Sequence, residues 1–329
     1  MPDLWRVLLV GCGELGSRHL QAVAAMPRVA AIDVVDPRPE SLDLGRARLD
    51  EVPDRKRGVE IRWHASLDDA SPGDLCIVAT QAEGRCRLVR EVADRLGYRK
   101  FLLEKVVSQS IAEMEELIAY ARAGGVSAWV NCKCRAYPFH QRVKRLLDPR
   151  DPIVLSVMGG NHGLANNGVH AADLFAFYDG AEAIACTGAV IDPVLHSSKR
   201  GRDVFDLSGT LIGSTAKGSR FTLTYTGDPS GIELFSLMTP RYRFVVDHIQ
   251  RWAVESDAAS GWSWRAVPFT GELLVSQMTR RFALQMLSSQ PCELPTLEES
   301  LVAHRFILDA LQPHFRHLLE QDVELCPVT

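Results

Sequence analysis

What the chain lacks narrows it first. Nowhere in its 329 residues does an apolar run approach the roughly 18 residues of a membrane span. Met1 leads directly into the strand-like WRVLLVG (5–11), without a basic flank followed by a cleavage site. No membrane partner is expected, and the expected location is the cytoplasm. The 37 lysines and arginines are scattered rather than gathered into a stripe. With 41 acids the net charge is -4, so phosphate backbones meet no long-range attraction. Nucleic acid is not an expected partner. The eight cysteines include no C-x-x-C pair, which leaves reduced packing thiols as their expected role. Cys132 and Cys134 would share one face of a strand with no second ligand pair nearby, so no metal is expected. Internal repeats and low-complexity tracts are absent as well.

What is there suits a large soluble fold. At 46% hydrophobic and 24% charged residues, the chain can bury a core big enough for two domains. Its first third alternates short apolar runs with helical patterns: RVLLVG (6–11), VAAIDVVD (29–36), VEIRWH (59–64), DLCIVAT (74–80) and KFLLEK (100–105). Helices are expected over about 17–26, weakly to about 54, over about 84–96 and about 110–123, with SAWVNCK (127–133) as one more strand. Strands that are apolar nearly throughout, taking turns with helices, imply a parallel sheet covered on both faces. Beyond about residue 150 consecutive strands follow one another, which predicts a mixed or largely antiparallel sheet. Two helices, about 271–288 and 297–319, close the chain. The expected fold is α/β, a Rossmann domain over 1–128 followed by a second α/β domain over 129–329.

The string GCGELG (11–16) lies directly after the first strand and before the first helix. In that setting every glycine has a physical reason: Gly11 allows a tight turn, Gly13 admits a pyrophosphate, and Gly16 lets helix and strand approach. Cys12, Glu14 and Leu15 complete the loop, and the amides of the helix start face the phosphates. Asp36, twenty positions beyond Gly16, ends the second strand, where a carboxylate can bind both adenosine ribose hydroxyls. That favours NAD over NADP, although Arg38 can neutralise a 2′-phosphate. Asp36 can equally be a turn-former before Pro37. Thr80 and Glu104-Lys105 stand at carboxyl ends of strands, where open α/β sheets bind ligands. Lys105 can acidify an alcohol, or be a surface cation paired with Glu104.

The stretch GGNHGLANNGVH (159–170) carries four glycines, two histidines and three asparagines with no charge from an acid or a lysine. Together with GCGELGSRHL, the acidic end of strand two, Ala79-Thr80, Glu104-Lys105, Asn131 to Pro138, NGVHAADLFAFYDG (167–180) and LPTLEES, it resembles the Gfo/Idh/MocA oxidoreductases along nearly the whole chain. The resemblance implies a Rossmann domain followed by an α/β domain whose open sheet serves dimers or tetramers. It also implies that Lys105 matches the family's E-K-P lysine and His170 its acid/base histidine. Three positions depart from the pattern. Asn166 stands where the family has Asp, Val106 replaces the proline, and TQAEGR (80–85) replaces T-P-x-x-x-H. Asn166 and His170 are one helical turn apart and can face one pocket. An asparagine orients a hydroxyl but holds no proton. His162 can serve as a second titratable group or as a loop residue. Asp173 can fix the tautomer of His170 or sit on the helix surface.

The expected activity is hydride transfer between NAD, less so NADP, and a secondary alcohol or ketone of a sugar-like or nucleotide-sugar-like substrate. Two alternatives stand beside it: a catalytically silent cofactor-binding partner protein, and a non-redox lyase or glycosidase that uses NAD transiently.

Overall fold

The apolar runs of the first third become six parallel strands: β1 (Trp5–Val10), β2 (Val29–Val35), β3 (Glu60–His64), β4 (Leu75–Val78), β5 (Lys100–Leu103) and β6 (Ser127–Val130). Their order is β3-β2-β1-β4-β5-β6. The structure is a computed structural model and describes residues 4–52, 58–198, 201, 203–229 and 231–329. Every side chain of β4 is fully buried, as the unbroken apolar pattern requires of a strand covered on both faces. Helices α1 (Gly16–Ala24), α2 (Pro39–Asp50), α3 (Arg85–Leu96) and α4 (Ile111–Gly124) connect the strands. Helix α2 opens on Pro39 and Glu40, both suited to a first turn. The expected extension of α2 to residue 54 runs into 53–57, outside the described residues. Helix α3 stops at Gly97, whose left-handed φ of 74° a glycine adopts without strain.

The second sheet has eight strands. After α5 (Pro138–Leu146) come β7 (Val154–Gly159), α6 (Gly168–Asp179), β8 (Ala185–Ile191), the two-stranded pair β9 (His196–Ser197) and β10 (Phe205–Asp206), and β11 (Gly209–Ser214). They are followed by β12 (Arg220–Tyr225), β13 (Glu233–Met238), β14 (Tyr242–Asp247), β15 (Trp252–Asp257) and β16 (Arg265–Val267). The order is β16-β15-β14-β13-β7-β12-β11-β8, antiparallel except where β12 runs parallel to β7. Side chains alternate by face. Leu155, Val157, Phe221, Leu223, Phe235 and Leu237 are buried, whereas Val154, Met158, Val190, Ile212 and Met238 share the other face and are exposed. The sheet is thus largely antiparallel and open on one side.

Two helices follow, α7 (Val275–Leu287) and α8 (Leu297–Leu319). They belong to different places. By compactness the chain forms two units, the first built from Met1–Ser108, Ala112–Asn131 and Glu272–Glu298, the second from Gln109–Ile111, Cys132–Gly271 and Glu299–Thr329. Helix α7 therefore packs with the Rossmann sheet, against α1, and the first unit is not the continuous segment that the strand rhythm alone suggests. Helix α8 covers the buried face of the second sheet, where Phe306 meets Phe221 with ring centroids 5.5 Å apart. No described helix is long and apolar enough to cross a membrane.

Candidate active site

The turn after β1 is built for close approach. Gly11 has φ +88°, and a Cβ there would lie 2.8 Å from the backbone of Ala79. A Cβ on Gly16 would lie 1.9 Å from the Gly11 carbonyl oxygen. Both positions therefore require glycine. At Gly13 the nearest atom to a Cβ is Arg38 Nη2 at 3.5 Å, which leaves that backbone open. Helix α1 starts with Leu15 at its cap, a residue with no side-chain acceptor for the first amides. Glu14 points outward and pairs with Arg48. This cradle fits a pyrophosphate.

Asp36 lies directly after β2 with only 2% of its surface exposed. The Cys12 amide donates to its Oδ2 at 2.8 Å, and the Arg38 amide and Nε donate to Oδ1 at 3.0 and 3.2 Å. Burial alone would raise the carboxyl. The Arg38 guanidinium and the Cys12 and Arg38 amides outweigh it and hold Asp36 below the usual carboxylate range. Burial and the neighbouring Asp36 push the Cys12 thiol up to about 12, so it is an inert packing group.

The carboxyl ends of β4 and β5 are tied together by a residue that sequence reasoning missed. Arg85, 1% exposed, donates to the carbonyls of Thr80, Glu104 and Val106, the Glu104 contact measuring 2.6 Å. It occupies the last place of TQAEGR, where the resembled family has histidine. The Lys105-Val106 peptide, one of those it brackets, is cis. Thr80 donates its hydroxyl to the Gln81 carbonyl at 3.1 Å. Glu104 is turned inward: His19 Nε2 donates to its Oε1 at 2.8 Å, Asn131 donates to the same oxygen, and the Thr279 hydroxyl on α7 meets His19 Nδ1 at 2.8 Å. Burial raises the Glu104 carboxyl, but His19, Asn131 and the charge of Lys105 outweigh it and hold the carboxyl below its ordinary value. Glu104 is thus a buried structural anion rather than a surface partner for Lys105. Lys105 itself is buried.

In the second unit the stretch 159–170 is the exit of β7, a turn, and the start of α6. Asn161 and His162 take positive φ values of 62° and 43°. The buried carboxylate of Asp206 pins the turn by accepting from the amides of Ala165, Asn166 and Leu207 at 2.9, 3.3 and 2.9 Å. Asn166, expected to face substrate, instead spends its amide on backbone: Nδ2 donates to the Phe205 carbonyl at 2.9 Å, and Oδ1 accepts from the Thr329 amide at 2.7 Å. His170 lies in the first turn of α6, half-buried. His162 stacks on His196, ring centroids 4.6 Å apart, with Nδ1 3.8 Å from Asp206 Oδ2. Burial and the adjacent His162 lower the His196 pKa.

Asp173 is not on the helix surface and does not serve His170. It forms a two-bond pair with Arg135, 2.8 Å from Nε and 2.7 Å from Nη2, both residues being buried. Burial pushes its carboxyl up to about 6 against the pull of Arg135. Such a pair joins α6 to the 3-10 turn at Lys133–Ala136.

The fold defines the class: a Rossmann-type unit and an α/β unit on an open eight-stranded sheet. Solved structures share this architecture over nearly their full length. An oxidoreductase from Agrobacterium radiobacter, solved with NAD+, L-tartaric acid and magnesium, has a TM-score of 0.74 at 12% identity, covering 95% of this chain and 97% of its own. A UDP-N-acetylglucosamine 3-dehydrogenase from Acidithiobacillus ferrooxidans has 0.67 at 17%, covering 94% and 96%. A 3-ketoreductase from Actinomadura kijaniata, solved as a mutant with TDP-benzene and NADP, has 0.70 at 18%, covering 94% and 96%. No family model matches the chain, and no curated protein matches it in sequence.

Proposed function

We propose that the chain is an NAD(P)-dependent oxidoreductase of the Gfo/Idh/MocA type, acting on a secondary alcohol or ketone of a sugar-like or nucleotide-sugar-like substrate. The observation that carries this is the β1-α1 turn, whose Gly11 and Gly16 admit no side chain and whose first helical amides lack a side-chain cap, with the Asp36 carboxylate held at the end of β2. The Gly11–Gly16 turn holds the pyrophosphate, and Asp36 accepts from the adenosine ribose. NAD is the preferred cofactor because the Asp36 carboxylate is anionic, with Arg38 able to tolerate NADP. A bound nicotinamide supplies the acceptor or donor of hydride.

His170 holds the hydroxyl proton, being the one titratable side chain of the first turn of α6. The Lys105 ammonium stabilises developing oxyanion charge. Asn166 is a positioning residue that fixes the turn before His170. Nucleotide-sugar chemistry is supported by two solved structures of the same fold, a UDP-N-acetylglucosamine 3-dehydrogenase and a 3-ketoreductase holding TDP-benzene and NADP.

A second reading has its own support. The Asn166 amide is committed to backbone, so the site lacks the family carboxylate, which suits a silent cofactor-binding protein. Titrating the protein with NADH by fluorescence, then following nicotinamide absorbance with UDP-hexoses, TDP-hexoses and free sugars, separates the two. Binding with turnover supports the oxidoreductase, binding without turnover supports the silent protein, and no binding overturns both.

A further inference from the structure

The Glu233 carboxylate stands at the same end of the second sheet as the loop leading to His170, the loop that Asp206 pins. Register fixes this placement: Gly159, the last residue of β7, pairs with Tyr225, the last of β12, and with Glu233, the first of β13. The loop is tied to the same end, since the Gly160 amide donates to the Ile232 carbonyl at 3.2 Å and the His162 amide to the Thr226 carbonyl at 2.8 Å. The Tyr225 ring lies beneath Gly163, 3.3 Å from where its Cβ would be, and Asn167 Nδ2 lies 3.1 Å from that point. Glu233 shares the buried face of β13 with Phe235 and Leu237, yet its side chain keeps 24% of its surface exposed, unlike theirs.

A polar chain runs inward from this carboxylate. His248 Nδ1 meets Glu233 Oε2 at 3.2 Å, His248 Nε2 meets His140 Nε2 at 2.7 Å, and His140 Nδ1 meets the Tyr178 hydroxyl at 2.5 Å. An imidazole nitrogen pair can share only one proton, so the chain has a direction. The Tyr178 hydroxyl donates to His140, His140 to His248, and His248 to Glu233. Burial supports that order by pushing the Tyr178 hydroxyl well up and the His140 ring well down, so both stay neutral. The Tyr225 hydroxyl adds a longer donor, 3.4 Å from Oε1. Other groups facing Glu233 are Lys133, whose charge stabilises the anion, and Cys134 and Tyr137, whose buried thiol and phenol stay neutral. A carboxylate offers about four acceptor positions, and this network occupies two.

We propose that Glu233 is the substrate-binding carboxylate of this site, accepting a hydrogen bond from a substrate hydroxyl, with His248, His140 and Tyr178 as positioning residues behind it. A substrate hydroxyl donates into one of the acceptor positions that remain on Glu233. A substrate carboxylate would be repelled by Glu233. The inference rests on the oxidoreductase reading above and names its substrate class: a neutral polyhydroxylated ring presented by its hydroxyls rather than a hydroxy acid.

Steady-state kinetics with NAD and UDP-N-acetylglucosamine, UDP-glucose, TDP-glucose, myo-inositol or L-tartrate test it, beside NADH titration. The expected result is turnover of a neutral polyol or sugar nucleotide but not of tartrate. Glu233→Gln is expected to raise KM for that substrate at least tenfold while NADH affinity stays within twofold. Should Glu233→Gln fail to fold, Glu233→Asp, which keeps the charge but withdraws it by one methylene, reads the same KM and is expected to raise it. An unchanged KM in the folded variant, or a preference for tartrate, overturns the role of Glu233 and leaves the oxidoreductase standing. NADH binding with no turnover of any probe overturns the oxidoreductase reading, and this inference with it.

Discussion

Asp36 and Arg38 pull cofactor choice in opposite directions. The carboxylate would accept ribose hydroxyls, yet its oxygens already take the Cys12 amide and the Arg38 side chain. A bound NAD therefore competes with Arg38 for Asp36, whereas a 2′-phosphate would draw Arg38 away. Asp36→Ala is expected to weaken NAD by roughly tenfold or more, about the worth of a charge-assisted hydrogen bond, and NADP much less. Arg38→Ala is expected to lower NADP affinity selectively. Fluorescence titration of the two reduced cofactors measures both, and equal losses in Asp36→Ala would contradict the ribose contact. The two side chains proposed to act on the substrate oxygen are tested similarly. Lys105→Ala and His170→Ala are each expected to cut turnover by roughly a hundredfold or more with cofactor binding kept, the usual size for positioned acid/base groups. Unchanged kcat in either variant removes that residue from the mechanism. Asn166 was legible as an anomaly but not as an anchor, because its partner Thr329 lies 163 positions away. Arg85 was visible only as the end of TQAEGR. Nothing local announces that a buried guanidinium will collect three carbonyls from two strand ends.

Elements were legible in proportion to their burial pattern. Strands β1, β2, β4 and β5 and helix α8 follow from apolar runs and 3.6-residue spacing, since nearly every strand position or one clear stripe is buried, whereas β3 follows only from its place in the alternation, none of its residues being buried. Strand β8 escaped because its ACTGAVI is exposed at most positions and carries no alternation. Helix α5 escaped because nine residues after a proline give too short a window for periodicity. Helix α7 was legible as a helix, but its membership of the first unit was not, because that depends on packing against α1 across more than 250 residues, as His19 and Thr279 do. The same contacts carry a pH prediction. Glu104 joins α1, β5 and the end of β6 and is held below the ordinary carboxyl value of 4.5. A carboxyl depressed by folding contributes stability that is present above its unfolded value and lost as pH falls through the folded one. Glu104→Gln is therefore expected to destabilise at pH 7 by about 1–3 kcal/mol, from the cost of a poorly satisfied buried network. That gap should narrow as pH drops below the ordinary value of 4.5, measured by urea unfolding of both proteins. A gap that is constant with pH would contradict the ionised state of Glu104.

At the scale of the molecule, one face of the second sheet carries exposed apolar side chains among the described residues. Val154, Met158, Val190, Ile212 and Met238 expose apolar surface on one side of a sheet whose other side is covered. Patches of this kind mark interaction sites. We expect the chain to self-associate through that face. Met158→Lys combined with Val190→Lys is expected to shift the species seen by light scattering toward the monomer without changing NADH affinity. An unchanged mass in the double variant would place the interface elsewhere. The glycine-rich turn, the parallel first sheet and the largely antiparallel second sheet agree with one another, which is why the fold was readable well before the site was. Substrate recognition was not readable, because Glu233 gains its partners only when β7, β12, β13 and the end of β14 come together.

In the proposed reaction, hydride moves between a nicotinamide and a carbon bearing oxygen on a sugar-like substrate. Incubating the protein with NAD and UDP-N-acetylglucosamine or UDP-glucose deuterated at the ring carbons, then weighing the recovered cofactor by mass spectrometry, reads that transfer directly. The expected product is reduced cofactor one mass unit heavier, with the label lost in His170→Ala. Recovery of unlabelled cofactor across the whole panel, from protein shown to bind NADH, would contradict it.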